Sequence, residues 1–384
     1  MKDGGRLQAA IEVLDDIETR KRPVADALKD WGLSHRFAGS GDRVAIGSLV
    51  FDALRKKASA GWVMGAATSR AAVLFTYATT WGRGIAVLDE ALTHPHAPAR
   101  LTPDERTRLA ADPATHLADA PVHVRGDVPE WLAPSLAAVF GDRLEAEALA
   151  LAGRAPVDLR VNTLKGTREA ALASLAHMGA VATDLAPLGL RLPEGGPTAK
   201  PPHVPSEAAY QDGLVEIQDE GSQLAALLAA PAPGERILDL CAGGGGKSLA
   251  LAAAQANAGR IYAYDADKRR FGDFRDRLAR AGATSIELRP PLGRDDPLAD
   301  LAGAIDLVLV DAPCTGTGTW RRRPDAKWRL RPNALAARMK DQDLVLDRAA
   351  SFAAPVGRIV YVTCSVLPEE NEERVAAFLA RHPG

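Results

Sequence analysis

A short apolar segment that runs directly into a glycine-rich turn dominates the C-terminal half of this sequence. Residues 237–240 continue through Cys241 and Ala242 into four consecutive glycines at 243–246, and an alanine- and leucine-rich helical pattern follows Lys247. Glycines between a strand and a helix let the backbone approach a ligand closely, and the helix N-terminus then faces that ligand. The pattern predicts a ligand-binding turn at the end of a buried strand.

Strand and helix patterns alternate along the rest of this region. We predict strands at 236–240, 261–265, 285–288, 305–310 and 358–362, with helices between them. Such alternation is typical of a parallel sheet covered by helices on both faces, here a Rossmann-like α/β domain over residues 221–384. Ligands of these sheets bind outside the carboxyl ends of the strands, so the residues beyond each strand are candidates for a site.

The first part of the chain, residues 1–145, predicts an all-α domain. Apolar side chains at positions 46, 49, 50, 53 and 54 share one helix face, and Asp42 is the expected N-cap of that helix. Between about 93 and 129 prolines accumulate, which favours a loop with one short helix near 103–111.

Residues 146–220 combine both kinds of pattern. Positions 157–161 alternate as a strand does, and positions 167–178 have a helical pattern. We therefore expect a small α+β domain that links the other two. A chain of 384 residues is also longer than one core usually supports, which favours several domains.

Composition excludes several classes of protein. Hydrophobic residues make up 47% and charged residues 25% of the chain, a balance that argues against disorder. No apolar run approaches the length of a membrane span, and the N-terminus lacks the apolar stretch of a secretory signal. Three cysteines are too few for a disulfide framework, which indicates a reducing compartment. We expect a cytoplasmic protein that acts as a monomer.

The glycine turn is compatible with more than one ligand. Residues 246–248, Gly-Lys-Ser, match the end of a phosphate-binding loop, but that motif requires glycine at position 241, where this chain has cysteine. Asp265 closes the second predicted strand, where an acid suits the hydroxyl groups of a ribose. We therefore favour a nucleoside-binding turn over a phosphate loop or a purely structural turn. The pattern does not distinguish a dinucleotide from S-adenosylmethionine.

Two cysteines lie just beyond the ends of two predicted strands. Cys314 follows the strand at 305–310, and Cys364 follows the strand at 358–362. Structural cysteines usually lie inside an element, whereas these two lie among Pro, Gly, Thr and Ser in loops, where functional residues concentrate. If the two strands are neighbours, both thiols lie at the same sheet edge as the glycine turn, and we interpret them as reactive. Packing is the better interpretation for Cys241.

The kind of chemistry also follows from these thiols. Zinc sites need closely spaced Cys and His ligands, and the wide spacing of these cysteines, with no histidine beside them, predicts no metal site. A thiolate that adds to carbon 6 of cytosine makes carbon 5 nucleophilic, so that carbon 5 can accept a methyl group from a sulfonium donor. Chemistry on a base requires that the base leave its stack.

A basic segment follows Cys314 along the chain. Residues 320–331 contain six basic residues, two tryptophans and one acid, a composition that suits phosphate contact and base stacking. The alternative is a solvated loop in an arginine-rich chain. We predict an RNA contact through Arg321, Arg322, Arg323, Lys327 and Arg329.

Three motifs together resemble those of the RNA 5-methylcytosine methyltransferases of the Sun/RsmB family. They are residues 239–247, the Asp-Ala-Pro-Cys-Thr-Gly-Thr-Gly run at 311–318 and the segment 363–371, in the family's order and spacing. Residues 160–165 and 218–220 look like the segment that precedes the family's catalytic domain. The helical region resembles a NusB-type RNA-binding domain, so the resemblance covers nearly the whole chain.

The resemblance implies a site for S-adenosylmethionine and for a flipped cytosine of RNA, with small-subunit ribosomal RNA as the expected substrate. Cys364 would be the nucleophile and Cys314 would assist release. Asp311 and Lys247 would contact the cytosine. Asp295 is the candidate for the adenine side of the cofactor. The other implied cofactor-binding residues are Cys241, Ala242, Gly243, Gly244, Gly245, Gly246, Lys247, Asp265 and Asp311.

The sequence departs from the family pattern in two places. Gly243 and Gly244 stand where the family usually has Ala-Pro, and the sequence ends at Gly384, before the family's last strands. Either this sequence is trimmed or the family's last pair of strands is absent. Two other functions stay open: a non-catalytic NusB-like RNA-binding factor with a methyltransferase-like scaffold, which the two strand-end cysteines disfavour, and a nucleotide hydrolase, which Cys241 disfavours.

Overall fold

The computed structural model describes residues 1–200, 202–291, 293 and 295–383. It has the expected multidomain fold class: a helical N-terminal region, a small α+β unit and a C-terminal Rossmann-like domain. Among the described residues, no helix has both the length and the hydropathy that crossing a membrane requires. The domain boundaries at 145 and 220 stay predictions.

The N-terminal region is built from helices, of which α1 to α6 surround one apolar core, whereas α10 and α11 pack in a second cluster with Trp320, Leu335 and Leu367. Buried side chains of α1, α3 and α5 meet in the first core, including Leu7, Leu49 and Leu74. The predicted apolar face of α3 is buried as expected. The helices are α1 (Asp3–Arg20), α2 (Val24–Ser34), α3 (Ser40–Arg55), α4 (Lys57–Met64), α5 (Ser69–Phe75), α6 (Gly84–Ala91), α7 (Pro103–Ala110), α8 (Pro113–Leu117), α9 (Val122–Arg125), α10 (Ala133–Phe140) and α11 (Leu144–Ala152).

The expected N-cap of α3 is wrong. The helix begins at Ser40, so Gly39 is the N-cap and Asp42 lies in the first turn. The Asp42 carboxylate accepts the Gly39 N–H at 3.2 Å and pairs with the amino group of Met1 at 3.0 Å and with Arg6 at 2.8 Å. Asp42 thus closes the helix start from the third position, a role that capping boxes give to an acid.

The middle unit is a four-stranded antiparallel sheet with two short helices. Its strand order is β2-β3-β1-β4, and the predicted strand at 157–161 lies inside it. Leu159 and Val161 of β1 face the apolar core of this unit. The elements are β1 (Val157–Val161), α12 (Arg168–Ser174), β2 (Val181–Ala182), β3 (Gly189–Leu192), α13 (Ala208–Gln211) and β4 (Val215–Ile217).

The C-terminal domain is a parallel sheet of order β7-β6-β5-β8-β9. The chain moves outward from β5 to β7 on one side and then returns to β8 on the other, so the switch point lies between β5 and β8. The elements are α14 (Glu220–Leu228), β5 (Arg236–Asp239), α15 (Gly246–Ala254), β6 (Arg260–Ala263), α16 (Phe271–Ala281), β7 (Ile286–Leu288), β8 (Ile305–Asp311), α17 (Pro324–Arg329), α18 (Pro332–Phe352), β9 (Ala353–Val362) and α19 (Glu372–Arg381).

Each of the five strands predicted for this domain is present. Alternate residues of β5 face opposite layers, with Ile237 in one apolar cluster and Leu238 in the other. The two-sided burial explains why these strands are almost continuously apolar. Because all five run parallel, the residues beyond β5, β6, β8 and β9 meet at one edge of the sheet.

Candidate active site

The glycine turn joins β5 to α15 at the switch point. Gly243 and Gly245 have φ angles of 55° and 81°, in the region that favours glycine. A Cβ atom at Gly245 would lie 2.0 Å from the ring of Phe274, so only glycine allows α16 to pack this closely. The backbone of Ala242 donates to the Tyr264 carbonyl at 2.8 Å, which ties the turn to the end of β6.

Asp265 lies against this turn, two residues beyond the end of β6. Its carboxylate is 8% exposed and accepts the N–H groups of Gly243 and Asp267, both at 2.8 Å. The guanidinium of Arg270 lies 3.8 Å away. The structure therefore brings together the turn and the acid that the sequence predicted for it.

Cys241 is held in the turn as a thiol. It is half-buried, and burial, with the carboxylates of Asp239 and Asp265 nearby, raises its pKa. A thiol that resists ionisation is a poor nucleophile. The predicted packing role of Cys241 is consistent with these surroundings.

Lys247 and Asp311 form an ion pair beside the turn. The Lys247 Nζ atom lies 2.6 Å from Asp311 Oδ2, which joins the start of α15 to the end of β8. Both side chains are partly exposed, so the pair can reach a ligand at the sheet edge.

Asp239, the last residue of β5, was not predicted to have a role. Burial raises its pKa to about 7, and the Ser248 hydroxyl donates to its Oδ2 at 2.5 Å. Its Oδ1 atom is buried without a hydrogen-bond partner among the described residues. The sequence signal for Asp239 is a carboxyl group at the end of an otherwise apolar core strand.

The two candidate cysteines are adjacent. β8 and β9 are neighbours, with Asp311 opposite Val362, and the Sγ atoms of Cys314 and Cys364 lie 3.3 Å apart. The hydrogen bond from Cys314, and to a smaller extent Lys247, lowers the pKa of Cys364 to about 7. The same hydrogen bond and burial raise the pKa of Cys314. Of the two sulfurs, Cys364 is therefore the one that ionises at the lower pH, and Cys314 is the one that keeps its proton.

The loop that carries Cys364 is rigidly held. The Cys364 carbonyl accepts the Gly318 N–H at 2.9 Å, which ties it to the loop after β8. Asn371 donates to the carbonyl of Ser365 at 3.1 Å and accepts the Thr363 hydroxyl at 2.7 Å. Backbone and side-chain contacts thus fix the loop on both sides of the sulfur.

The predicted RNA contact of Lys327 is wrong. Lys327 is 1% exposed, and its Nζ atom lies 5.7 Å from the ring centre of Trp320 and 4.9 Å from that of Trp328. Trp320 is also 1% exposed, so it is not available to stack on a base. The mixed aromatic and basic pattern belongs to a packed contact between α17 and the helical region, which composition alone does not distinguish from a nucleic-acid surface.

Most of the other predicted RNA-binding arginines have partners within the chain. Arg321 donates to the Arg154 carbonyl at 2.6 Å. Arg322 pairs with Asp219 at 2.7 Å, and Arg329 pairs with Asp325 at 3.0 Å.

Arg323 is exposed and differs from these arginines because none of the described hydrogen bonds or ion pairs involves its side chain. It lines a groove of about 740 Å³ that also reaches Gly244 of the turn and the basic side chains of Arg270 and Arg277. Of the basic segment, Arg323 is therefore the residue best placed for a ligand that approaches the turn.

Two further predictions concern Asp295 and a metal site. Asp295 is exposed on the loop after β7, and no described hydrogen bond joins it to the glycine turn. Within the described ranges, no group of three or more His, Cys, Asp or Glu side chains could hold a metal ion.

Comparison with known families gives two matches along the chain. Residues 226–384 match the model described as 16S rRNA methyltransferase RsmB/F, and residues 128–199 match the ferredoxin-like domain of RsmF/B-like methyltransferases. Together the two matches span more than half of the chain. They cover the parallel sheet with its glycine turn and all three cysteines, and three of the four strands of the antiparallel unit.

Curated relatives agree with these matches. The chain is 36% identical over 255 residues to ribosomal RNA small subunit methyltransferase B of Enterobacter sp. (strain 638), which is 66% of this chain and 58% of the relative. It is 35% identical over 263 residues to the protein of the same name from Pseudomonas putida, which is 68% of this chain and 59% of the relative. The chain thus spans less than two thirds of the length of these relatives.

Solved structures share the fold. A crystal structure of PH0851 aligns with 98% of this chain and 90% of its own, with a TM-score of 0.73 and 24% identity. A methyltransferase homolog protein from Pyrococcus horikoshii aligns with 67% of this chain and 81% of its own, with a TM-score of 0.57 and 29% identity. NSun6 of the same organism, solved with SFG, has a TM-score of 0.57 at 22% identity over 66% of this chain and 87% of its own. On its motifs and these matches, the chain belongs to the Sun/RsmB family of methyltransferases.

Proposed function

We propose that this protein transfers a methyl group from S-adenosylmethionine to carbon 5 of a cytosine in small-subunit ribosomal RNA. The observation that carries the proposal is the pair of sulfur atoms, Cys314 and Cys364, 3.3 Å apart at the sheet edge that also holds the glycine turn. The relatives named ribosomal RNA small subunit methyltransferase B support ribosomal RNA as the substrate.

The turn and the acid beside it suit S-adenosylmethionine. Glycines 243–246 leave the backbone accessible, and the buried carboxylate of Asp265 lies where ribose hydroxyls would donate to it. When bound there, S-adenosylmethionine supplies the methyl group. Cys241, Ala242 and Lys247 complete the proposed binding segment. Asp295 stays a proposal for the adenine side.

The thiol pair supplies the covalent chemistry. The Cys364 thiolate forms a bond to carbon 6 of the cytosine, which makes carbon 5 nucleophilic. After methyl transfer, the carbon-5 proton passes to Cys314, which has lost its own thiol proton to solvent while Cys364 is bonded to the base. The bond from Cys364 to carbon 6 then breaks, its electron pair returns to the Cys364 sulfur, and the product is released. Lys247 and Asp311 lie beside the sulfurs and hold the polar edge of the base.

The remaining parts of the proposal concern RNA. We propose that the helical region, which resembles a NusB-type domain, binds RNA outside the catalytic site. Arg323, exposed beside the groove that reaches the glycine turn, is the proposed contact from the basic segment.

A methyl-transfer assay tests the function directly. The protein is incubated with labelled S-adenosylmethionine and unmodified small-subunit ribosomal RNA, and the RNA is digested to nucleosides for mass spectrometry. The proposal expects label in 5-methylcytidine. Label in another nucleoside would refute the proposed cytosine chemistry, and RNA binding without transfer would favour the non-catalytic alternative.

Asp265→Ala is expected to weaken S-adenosylmethionine binding roughly ten- to a hundredfold, because hydrogen bonds to charged groups contribute about 1.5–3 kcal/mol. Isothermal titration calorimetry measures the change. Asp267→Ala is the matched control, since Asp267 lies two residues away and pairs with Arg269 at the surface. Equal affinity of the wild-type protein and Asp265→Ala would contradict the role of Asp265.

The alkylation of Cys364 by iodoacetamide is expected to rise with pH and to reach half its maximum near pH 7. The reason is that only the thiolate reacts and the pKa of Cys364 is lowered to about 7, first by the hydrogen bond from Cys314. Peptide mass spectrometry separates the three cysteines. Cys314→Ala removes the hydrogen-bond donor and should raise the midpoint. Cys314→Ser keeps a hydroxyl donor at the same position and should leave the midpoint low. A midpoint near that of a free thiol in the wild-type protein would contradict this thiol pairing.

A further inference from the structure

Glu370 is a buried acid behind the loop that carries Cys314. Its side chain is 0% exposed, so it does not reach the space where a substrate would bind. One carboxylate oxygen accepts the N–H of Thr315 at 2.8 Å, and the other accepts the Thr315 hydroxyl. Glu370 therefore binds both the backbone and the side chain of the residue that directly follows Cys314.

Gln342 of α18 holds the same loop on the other side of Cys314. Its amide nitrogen donates to Glu370 Oε1 at 3.0 Å and to the Pro313 carbonyl at 3.0 Å, and the residue is 0% exposed. The loop is thus tied down immediately before and immediately after Cys314. Glu370 itself is held because its own carbonyl accepts the Tyr361 hydroxyl at 2.7 Å.

The charge of Glu370 bears on one of the two sulfurs. The pKa of Cys314 is raised first by the hydrogen bond to Cys364 and by burial, and additionally by the charge of Glu370. Within the described contacts, no Lys or Arg side chain forms an ion pair with Glu370, so its charge is not cancelled nearby. Arg374, four residues further along the chain, pairs with Asp343 instead.

The other ionisable groups around the sulfurs act on Cys364 or are neutral. Lys247 lowers and Asp311 raises the pKa of Cys364. Burial raises the pKa of the Tyr361 phenol, which therefore stays uncharged near neutral pH. Glu370 is thus the anion that faces Cys314, and Lys247 is the cation that faces Cys364.

We propose that Glu370 is a positioning residue that fixes the Cys314 loop and adds to the effects that keep Cys314 the protonated member of the thiol pair. Its consequence for catalysis rests on the proposed function: Cys364 is then the sulfur that attacks, and Cys314 is held over the same substrate as a thiol. The held loop and the protonation of Cys314 in the free protein do not depend on any substrate.

The test isolates Cys314 in the free protein. In the Cys364→Ser background, the pH dependence of Cys314 alkylation is measured with and without Glu370→Gln, an isosteric change that removes the charge. Because a like charge disfavours the thiolate, Glu370→Gln should lower the midpoint. Glu372→Gln, an exposed acid two residues away, is the matched control and should not move it. An unchanged midpoint in Glu370→Gln would overturn the electrostatic role.

A second variant tests the positioning role and covers the case in which Glu370→Gln does not fold. Gln342→Ala removes the hydrogen bonds from Gln342 to Pro313 and to Glu370, and it keeps the Glu370 carboxylate. Amide hydrogen exchange of the peptide that contains Thr315 should then become faster by about tenfold, because the loss of a hydrogen bond of about 1.4 kcal/mol opens the loop more often. Exchange at the wild-type rate would overturn the positioning role. Both readouts are independent of methyl transfer, so their failure is distinct from a failure of the proposed function.

Discussion

Cys314→Ala is expected to accumulate a covalent protein–RNA species, and Cys364→Ala is expected to form none. The two sulfurs lie 3.3 Å apart and both face the same sheet edge, so either could reach one cytosine. They differ in ionisation, because Cys364 has a pKa lowered to about 7 and Cys314 has a raised pKa. Loss of Cys364 removes the thiolate that attacks, and loss of Cys314 removes the group that assists release. The two variants must therefore fail at different steps.

A denaturing gel with labelled ribosomal RNA measures this difference. Cys314→Ala should give a slowly migrating band, and the double variant with Cys364→Ala should lose it. Cys364→Ala should also abolish methyl transfer while S-adenosylmethionine affinity stays unchanged, which calorimetry checks. Cys241→Ala is the matched control, because its thiol lies in the turn with a raised pKa and should not form the adduct. A band in Cys364→Ala alone would show that the roles are exchanged, and no band in any variant would contradict the covalent mechanism.

The main features of the site could be predicted because they depend on backbone topology. A cysteine that follows a strand of a parallel sheet must lie at the carboxyl edge, and neighbouring strands bring two such residues together. Cys314 and Cys364 are 50 residues apart in sequence, yet the pairing of β8 with β9 makes them adjacent. The same rule brings Asp265 to the glycine turn.

The predictions that were wrong or missing concern side chains whose neighbours in space come from distant parts of the chain. Lys327 looks like a surface cation because its neighbours in sequence are arginines, but its neighbours in space are tryptophans. Glu370 could not be identified as a partner of the Cys314 loop, because Gln342 and Thr315 reach it from α18 and from the loop after β8. Periodicity reports which face of an element is buried, and it does not report which group that face meets.

Lys327→Met is expected to lower the free energy of unfolding by about 2 kcal/mol, because it removes the buried positive charge that most stabilises the Asp127 carboxylate and leaves Asp127 with Lys56 alone, 3.7 Å away. Burial lowers the pKa of Lys327 to about 8, so the side chain is mostly protonated at pH 7. The charge of Lys327 is the largest effect that opposes the raised pKa of the buried Asp127. The Asp127 carboxylate also accepts the N–H groups of Ala58 and Ser59 at 2.9 Å, at the start of α4.

Urea denaturation of the variants measures this contribution. Arg331→Met is the matched control, since Arg331 is exposed on the same segment and its loss should change stability by less than about 0.5 kcal/mol. Lys327→Met combined with Asp127→Asn should recover part of the loss, because the uncompensated carboxylate is then removed. The Trp328 indole donates to the Leu54 carbonyl at 2.6 Å, so the same segment anchors α3. If Lys327→Met were as stable as Arg331→Met, α17 would be held by its aromatic contacts alone and the charge of Lys327 would contribute nothing to the docking of the helical region. A loss restored by Asp127→Asn would instead show that the attraction between the buried charges of Lys327 and Asp127 helps to join the helical region to the chain segment leading out of the Cys314 loop.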